Sequence, residues 1–286
     1  MQDILVWIRK VFDYFLFSSF YMSLCTVLMT WQSGYLLHLN IPADYYWFVF
    51  FATLCSYNFH WYLTPPDHTK TDRSTWSIQH KSTHLLLYFI GVMGSLVFFY
   101  KLRQHWFALF FATFLTFLYS APKIPLPYFR FLKQVAIGKT IFLTTVWTYV
   151  TAILPVFVSG LLHHYNHEMK WFAASRFFLI YAICIVFDYR DRTDDKLEGI
   201  RTMVNYFDET GVNRLFVFSI IAFFVFTLAL LFSSISVVAV LILMIPGIIL
   251  LSIYNTAKNS ISDYLYYFVL DGLMMLSAIL MAVLPI

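Results

Sequence analysis

The sequence predicts an all-α protein, a polytopic membrane helical bundle of about nine transmembrane helices. Three observations predict it. The 286 residues are 60% hydrophobic and only 12% charged, with a mean hydropathy of +0.72, which excludes a water-soluble globular domain. The apolar residues gather in long runs rich in Leu, Phe and Ile instead of alternating at period two, so the spans are helices and not barrel strands. Basic residues concentrate on alternate connections between those runs.

The runs cover approximately 12–37, 42–62, 83–100, 104–121, 135–161, 171–187, 214–232, 235–253 and 264–285. The first is preceded by "MQDILVWIRKVFDYF", an amphipathic stretch suited to lie along the membrane interface. Arg9 and Lys10 stand before an apolar run too long for a signal-peptide core, and no cleavage site follows, so this segment is expected to remain. The split between the seventh and eighth runs rests on "SSIS" at 233–236. No Gly- or Ser-rich linker and no exact repeat divides the chain, which reads as a single integral-membrane domain, 1–286. Cys25, Cys55 and Cys184 lie scattered inside runs and read as small packing residues.

Sidedness follows from the cations. Arg9, Lys10, Lys70, Arg73, Lys81, Lys123, Arg130, Lys133, Arg190, Arg192, Lys196, Arg201, Arg214 and Lys258 fall on one side, fourteen residues, against Lys101, Arg103, Lys170 and Arg176 on the other. Lys139 sits just inside the fifth run. The richer side, with the N-terminus and the loops after even-numbered runs, is expected to be cytoplasmic, in a cell inner membrane. The net charge of +4 reflects this asymmetry. Nothing suggests a nucleic-acid surface.

One connection stands out. "FDYRDRTDDKLEGIRT", 187–202, gathers five carboxylates and four basic residues directly after an almost purely apolar run. Continued as helix at about 100° per residue, Asp188, Asp191 and Asp195 lie within about 60° of one another. Gly199 falls on the same stripe, while Asp194 points away. Converging carboxylates repel unless a hard cation such as Mg²⁺, which favours oxygen ligands and bridges to phosphates, relieves them. The other reading of the same spacing is a solvated helix end whose acids pair with Arg190, Arg192, Lys196 and Arg201.

This stretch resembles the second aspartate-rich motif, DxxDxxxD, of the UbiA superfamily of intramembrane prenyltransferases. Asp188, Asp191, Asp195, Gly199 and Thr202 match it, in the expected place after the sixth of nine spans. "LYSAPKIPLPYFRFLKQVAIG", 118–138, is similar to the family's Tyr-Ser-x-Pro segment through Tyr119, Ser120, Pro122, Lys133 and Gly138, with a longer interval before the lysine. The family's first motif, close to NDxxDxxxD, is altered. Asn58 matches its opening, but Phe59, Tyr62 and Pro66 occupy the acidic positions, with His60, Asp67, His68 and Asp72 nearby as candidate substitutes. A neutral His prefers transition metals to Mg²⁺.

The resemblance implies a helical bundle around a central cavity and Mg²⁺-dependent transfer of a prenyl group from a prenyl diphosphate to a lipophilic or aromatic acceptor. It implies Asp188, Asp191 and Asp195 as the catalytic metal ligands and Asn58 as support for another metal. Lys133, Arg201, Asn58 and Tyr119 are implied as substrate-binding residues. The missing first-motif acids leave open a non-catalytic relative that binds or moves an isoprenoid or quinone. An ion-coupled transporter is a third reading, suggested by Asp271 within the last run, but it lacks a pair of Gly/Pro-broken helices. Asp271 is expected either to line a cavity or to hydrogen-bond a neighbouring Tyr. "HHYNHE", with His163, His164, His167 and Glu168, reads as a solvated turn or a distant metal site, and His80 with His84 as a packing pair.

Overall fold

In the computed structural model the described residues are 2–64, 71–120, 139–161, 167–192 and 202–284. They are helical throughout and contain no strand. The chain runs through α1 (Gln2–Phe17), α2 (Phe20–Leu36), α3 (Ala43–Tyr62), α4 (Asp72–Gln79), α5 (Lys81–Lys101) and α6 (Trp106–Ser120). Then α7 joins Lys139–Thr148, a π-helical turn Tyr149–Ile153 and Leu154–Val158. Next come α8 (His167–Arg190), the short α9 (Met203–Tyr206), α10 (Glu209–Ala229) and α11 (Val237–Lys258). A π-helical turn, Leu265–Leu270, leads into Asp271–Val283 to form α12.

Six of these helices are long and apolar enough to cross a membrane, or up to seven if the bent pair α1–α2 counts as one span. Within the described residues, each apolar run of the sequence falls mainly on helix. The first run, however, is not one rod. It breaks at Ser18–Ser19, and its two pieces meet at 59°. Ser19 adopts a left-handed conformation (φ 70°), which costs a non-glycine residue about 1–2 kcal/mol. A partner offsets the break: the Asn58 side-chain amide donates to the Ser18 carbonyl at 3.0 Å. Ahead of the elbow, α1 exposes Ile4, Leu5, Trp7, Ile8 and Val11 together with Arg9, the face expected of an interfacial helix.

Helix α8 runs through the core. Leu179–Val186 is buried on nearly every side, against Cys25 of α2, Phe216 and Ile220 of α10, Leu250 of α11, and Leu270 and Leu273 of α12. Side chains apolar all round the helix require a surround of this kind. A second cluster joins Tyr45, Phe48 and Val49 of α3 to Leu109 of α6 and Leu154 of α7. Outward faces are equally apolar: Leu86, Phe89, Met93 and Leu96 on α5, and Phe218, Ile221 and Val225 on α10. Such faces have no place in water and suit lipid. Helix α3 packs closely on α5 because Gly91 leaves room; a Cβ there would lie 2.6 Å from the Cys55 backbone nitrogen.

Arg176 corrects the sequence-based sidedness count. It does not belong to a loop but lies inside the bundle, 5% exposed. Its Nη1 donates to the Met29 carbonyl at 2.9 Å, Ser33 Oγ at 2.7 Å and the Thr151 carbonyl at 2.7 Å. Its Nη2 donates to Gln32 Oε1 at 2.8 Å. The π-helical turn of α7 displaces carbonyls from regular pairing, and a five-donor guanidinium answers that need.

Candidate functional site

Polar side chains gather at the end of the bundle where α8 finishes. Asp188, 8% exposed, sits on its last turns and accepts a hydrogen bond from Thr140 Oγ1 of α7. Asp191 follows one turn on, its side chain 42% exposed, and its Oδ1 accepts from Arg190 Nε at 2.8 Å. Both carboxylates therefore stand at one helix end, and each is already engaged. Asp195, Lys133 and Arg201 lie outside the described residues, as do Asp67 and His68.

Arg190 ties this end to α12. Its Nη2 donates to Tyr267 Oη at 2.9 Å, and Nη1 lies 3.7 Å from Asp263 Oδ1. The guanidinium also sits over the Tyr266 ring at 4.2 Å and the Tyr267 ring at 5.0 Å. Tyr267 meets a second guanidinium, that of Arg73, at 4.0 Å. Trp61 contacts Arg73 at 4.2 Å. Arg73 is 1% exposed, and burial pulls its guanidinium below the ordinary arginine value, though arginine starts high enough to stay charged.

Asp263 fixes the start of α4 on this hub, accepting the Arg73 backbone N–H at 2.7 Å. Helix α4 forms because Thr71 and Ser74 cap it reciprocally: Ser74 N–H donates to Thr71 Oγ1 at 3.1 Å and Thr71 N–H to Ser74 Oγ at 3.0 Å. The apolar runs leave 63–82 as a connection in which Arg73 counts only as a cation, and Asp263 and Tyr267 carry no sequence signal. The Thr-x-x-Ser signature at 71–74 was the available signal for the helix.

Asn58 is fully buried, and its amide is committed. Nδ2 donates to the carbonyls of Ser18 (3.0 Å) and Leu54 (2.8 Å), while Oδ1 meets His84 Nδ1 at 2.7 Å. Its partners lie on α3, on α5 and at the α1–α2 elbow. His60 stacks on Tyr119 with ring centres 5.5 Å apart, joining the ends of α3 and α6. Asp72 is exposed and lies 3.6 Å from Arg9 Nη2. His80 stacks on Trp76 at 4.3 Å.

Asp271 is buried inside α12. Of the two expectations for it, a hydrogen bond to a tyrosine is not what occurs among the described residues. Tyr21 Oη donates instead to the Phe268 carbonyl at 2.7 Å. Gly272 admits that tyrosine, since a Cβ there would lie 2.4 Å from Tyr21 Oη. The Asp271 carboxylate lies within electrostatic reach of both Arg73 and Arg190. At the far end of α8, Glu168 Oε1 accepts from Ser234 Oγ at 2.9 Å and His167 lies 5.7 Å from the Trp171 ring. His163 and His164 fall outside the described residues.

No family model, curated protein or solved structure matches this chain.

The donor chemistry at the end of α8 suits a hard cation, since Asp188 and Asp191 offer carboxylate oxygens. Among the described residues, however, no three His, Cys, Asp or Glu side chains gather closely enough to hold a metal ion. Two carboxylates with protein partners do not by themselves make a Mg²⁺ site. Farther along α8, a cleft between α2, α8, α10, α11 and α12 is lined by Met29, Phe172, Leu179, Phe223, Leu243 and Met274, with Arg176 on its wall.

Proposed function

We propose that the chain is a divergent UbiA-type prenyltransferase. It moves a prenyl group from a prenyl diphosphate to a lipophilic or aromatic acceptor within the membrane. In this reading about nine transmembrane helices surround a central cavity, with the acidic loop cytoplasmic. The observation that carries it is the placement of Asp188 and Asp191 one turn apart at the polar end of α8, a helix packed inside an otherwise apolar bundle. Ionisable side chains on membrane helices face a wet cavity, the interface or a polar partner, and they commonly mark functional sites.

Asp188 and Asp191, completed by Asp195, would hold Mg²⁺, which when bound offsets the charge that gathers on a departing diphosphate. Lys133 and Arg201 pair with phosphate oxygens, and Tyr119 borders the donor. The isoprenoid lies along the apolar wall of α8, where Leu179, Phe223 and Met274 exclude water. Aromatic faces stabilise the positive charge left on the allylic carbon. The test is turnover by the purified chain with Mg²⁺, a prenyl diphosphate series and candidate acceptors, compared with Asp191→Asn. Absence of both donor binding and product, or unchanged turnover in the variant, rejects the reading.

A second reading has its own observation. The Asn58 oxygen is taken by His84, and the acidic positions of the first motif are Phe59, Tyr62 and Pro66. A non-catalytic relative would bind or move an isoprenoid or quinone without consuming it. Any prenylated product formed by the purified chain eliminates this alternative.

A further inference from the structure

Arg73 poses a problem that the transferase reading does not solve. Its guanidinium is buried, with the Trp61 ring centre 4.2 Å and the Tyr267 ring centre 4.0 Å from its carbon. Its N–H groups point outward in the plane of the group. In that plane Nε and Nη2, the two N–H groups of its side-on fork, are buried and have no hydrogen-bond partner. Arginine cannot shed its charge at any ordinary pH, and although Asp263 and Asp271 lie within electrostatic reach, no carboxylate oxygen bonds the fork, so burial of the charge remains costly. Cation–π contact with two rings returns only part of that, up to about 2 kcal/mol each when desolvated.

The protein's own carboxylates do not fill the fork. Asp263 spends Oδ2 on the Arg73 backbone N–H, and its Oδ1 faces Arg190 Nη1 at 3.7 Å. That Nη1 is also buried without a hydrogen bond. Each guanidinium carbon lies 4.0 or 5.0 Å from the centre of the Tyr267 ring, so the two are no more than about 9 Å apart. A paired fork on one cation and an open N–H on another suit a ligand with several anionic oxygens better than a single carboxylate. Ser77, one turn beyond Arg73 on the same face of α4, adds a buried hydroxyl without a partner.

We propose that Arg73 and Arg190, meeting at Tyr267, form a receptor for a phosphate or diphosphate group that needs no metal ion. The site borders the acidic stretch through Arg190, which also pairs with Asp191, but it needs no metal and stands whether or not the chain catalyses prenyl transfer. Two sources supply such a group: a soluble or isoprenoid diphosphate, and the headgroup of an anionic lipid.

The test uses the full chain in EDTA, so that divalent ions play no part. Calorimetric titration with pyrophosphate in detergent is compared with thermal stability in nanodiscs of phosphatidylcholine, with and without phosphatidic acid. Wild type is expected to bind pyrophosphate, to be stabilised by phosphatidic acid, or both; which probe acts identifies the source. Arg73→Lys keeps the charge but loses the fork, and is expected to weaken binding about tenfold or more. Arg190→Lys, which retains a cation on the same ring, is expected to weaken it less.

A wild type that responds to neither probe overturns the proposal and leaves internal water, shared with the unpartnered His84 Nε2, as the occupant of the fork. Binding that appears only with Mg²⁺, or that is equal in Arg73→Lys, overturns it too. Should Arg73→Lys fail to fold, the wild-type titration and Arg190→Lys decide between these outcomes. Prenyl transfer can fail while EDTA-resistant binding persists, and the reverse, so the two proposals fall separately.

Discussion

His84 donates its Nδ1–H to Asn58 Oδ1 across 2.7 Å, joining α5 to α3 inside the bundle. The direction follows from Asn58, whose nitrogen is spent on two carbonyls and whose oxygen can only accept. One side chain thus holds the α1–α2 elbow, its own helix and a neighbouring helix together. Asn58→Asp is expected to destabilise the protein by about 2 kcal/mol or more, since the Ser18 and Leu54 carbonyls lose their donor and a charge is buried. Thermal unfolding in detergent, followed through tryptophan fluorescence, measures it. If Asn58 served only a metal, stability without Mg²⁺ would be unchanged.

Asp188 and Asp191 are expected to separate under mutation. Asp191 is 42% exposed, so Asp191→Asn should shift stability by no more than about 0.5 kcal/mol. Its proposed turnover should nonetheless fall by at least about a hundredfold. Thr140→Val, which removes the donor to buried Asp188, should cost about 1–3 kcal/mol. Unfolding curves and single-time-point product assays on the same preparations give both quantities.

Arg176 is expected to be structural and irreplaceable. Arg176→Met withdraws donors from Met29 and Thr151 carbonyls, Ser33 Oγ and Gln32 Oε1 together. The loss should reach about 3 kcal/mol, because several buried acceptors go unanswered at once. Arg176→Lys, a point charge with fewer donors, should recover only part of it. Protease resistance in nanodiscs reads this out, and a fully stable Arg176→Met would refute the assignment.

Gly91 is expected to tolerate no side chain. Even Gly91→Ala would place a methyl group 2.6 Å from the Cys55 nitrogen, against backbone that cannot rotate aside. Overpacking of this kind costs about 1–3 kcal/mol. A cysteine pair engineered across α3 and α5 should crosslink more slowly in the variant, and an unchanged rate would count against close contact.

The membrane class and the helical segments were legible in the chain because hydropathy is a local property. A run of apolar residues needs no knowledge of its neighbours to prefer lipid, and "SSIS" at 233–236 was enough to separate α10 from α11. The spacing of Asp188 and Asp191 was equally readable, since helical periodicity sets it. What the tertiary structure alone decided is who answers each polar group. Arg176 counted among the cations of one membrane side and is a buried clamp on backbone carbonyls. Asn58 looked like a metal support and is committed to Ser18, Leu54 and His84. Arg73 counted only as one cation of the basic side and Asp263, 190 residues away, and Tyr267 carried no signal, yet the three form one hub. Inside an apolar bundle every donor and acceptor must find a partner from another segment, and such pairings are a property of packing that no local pattern encodes.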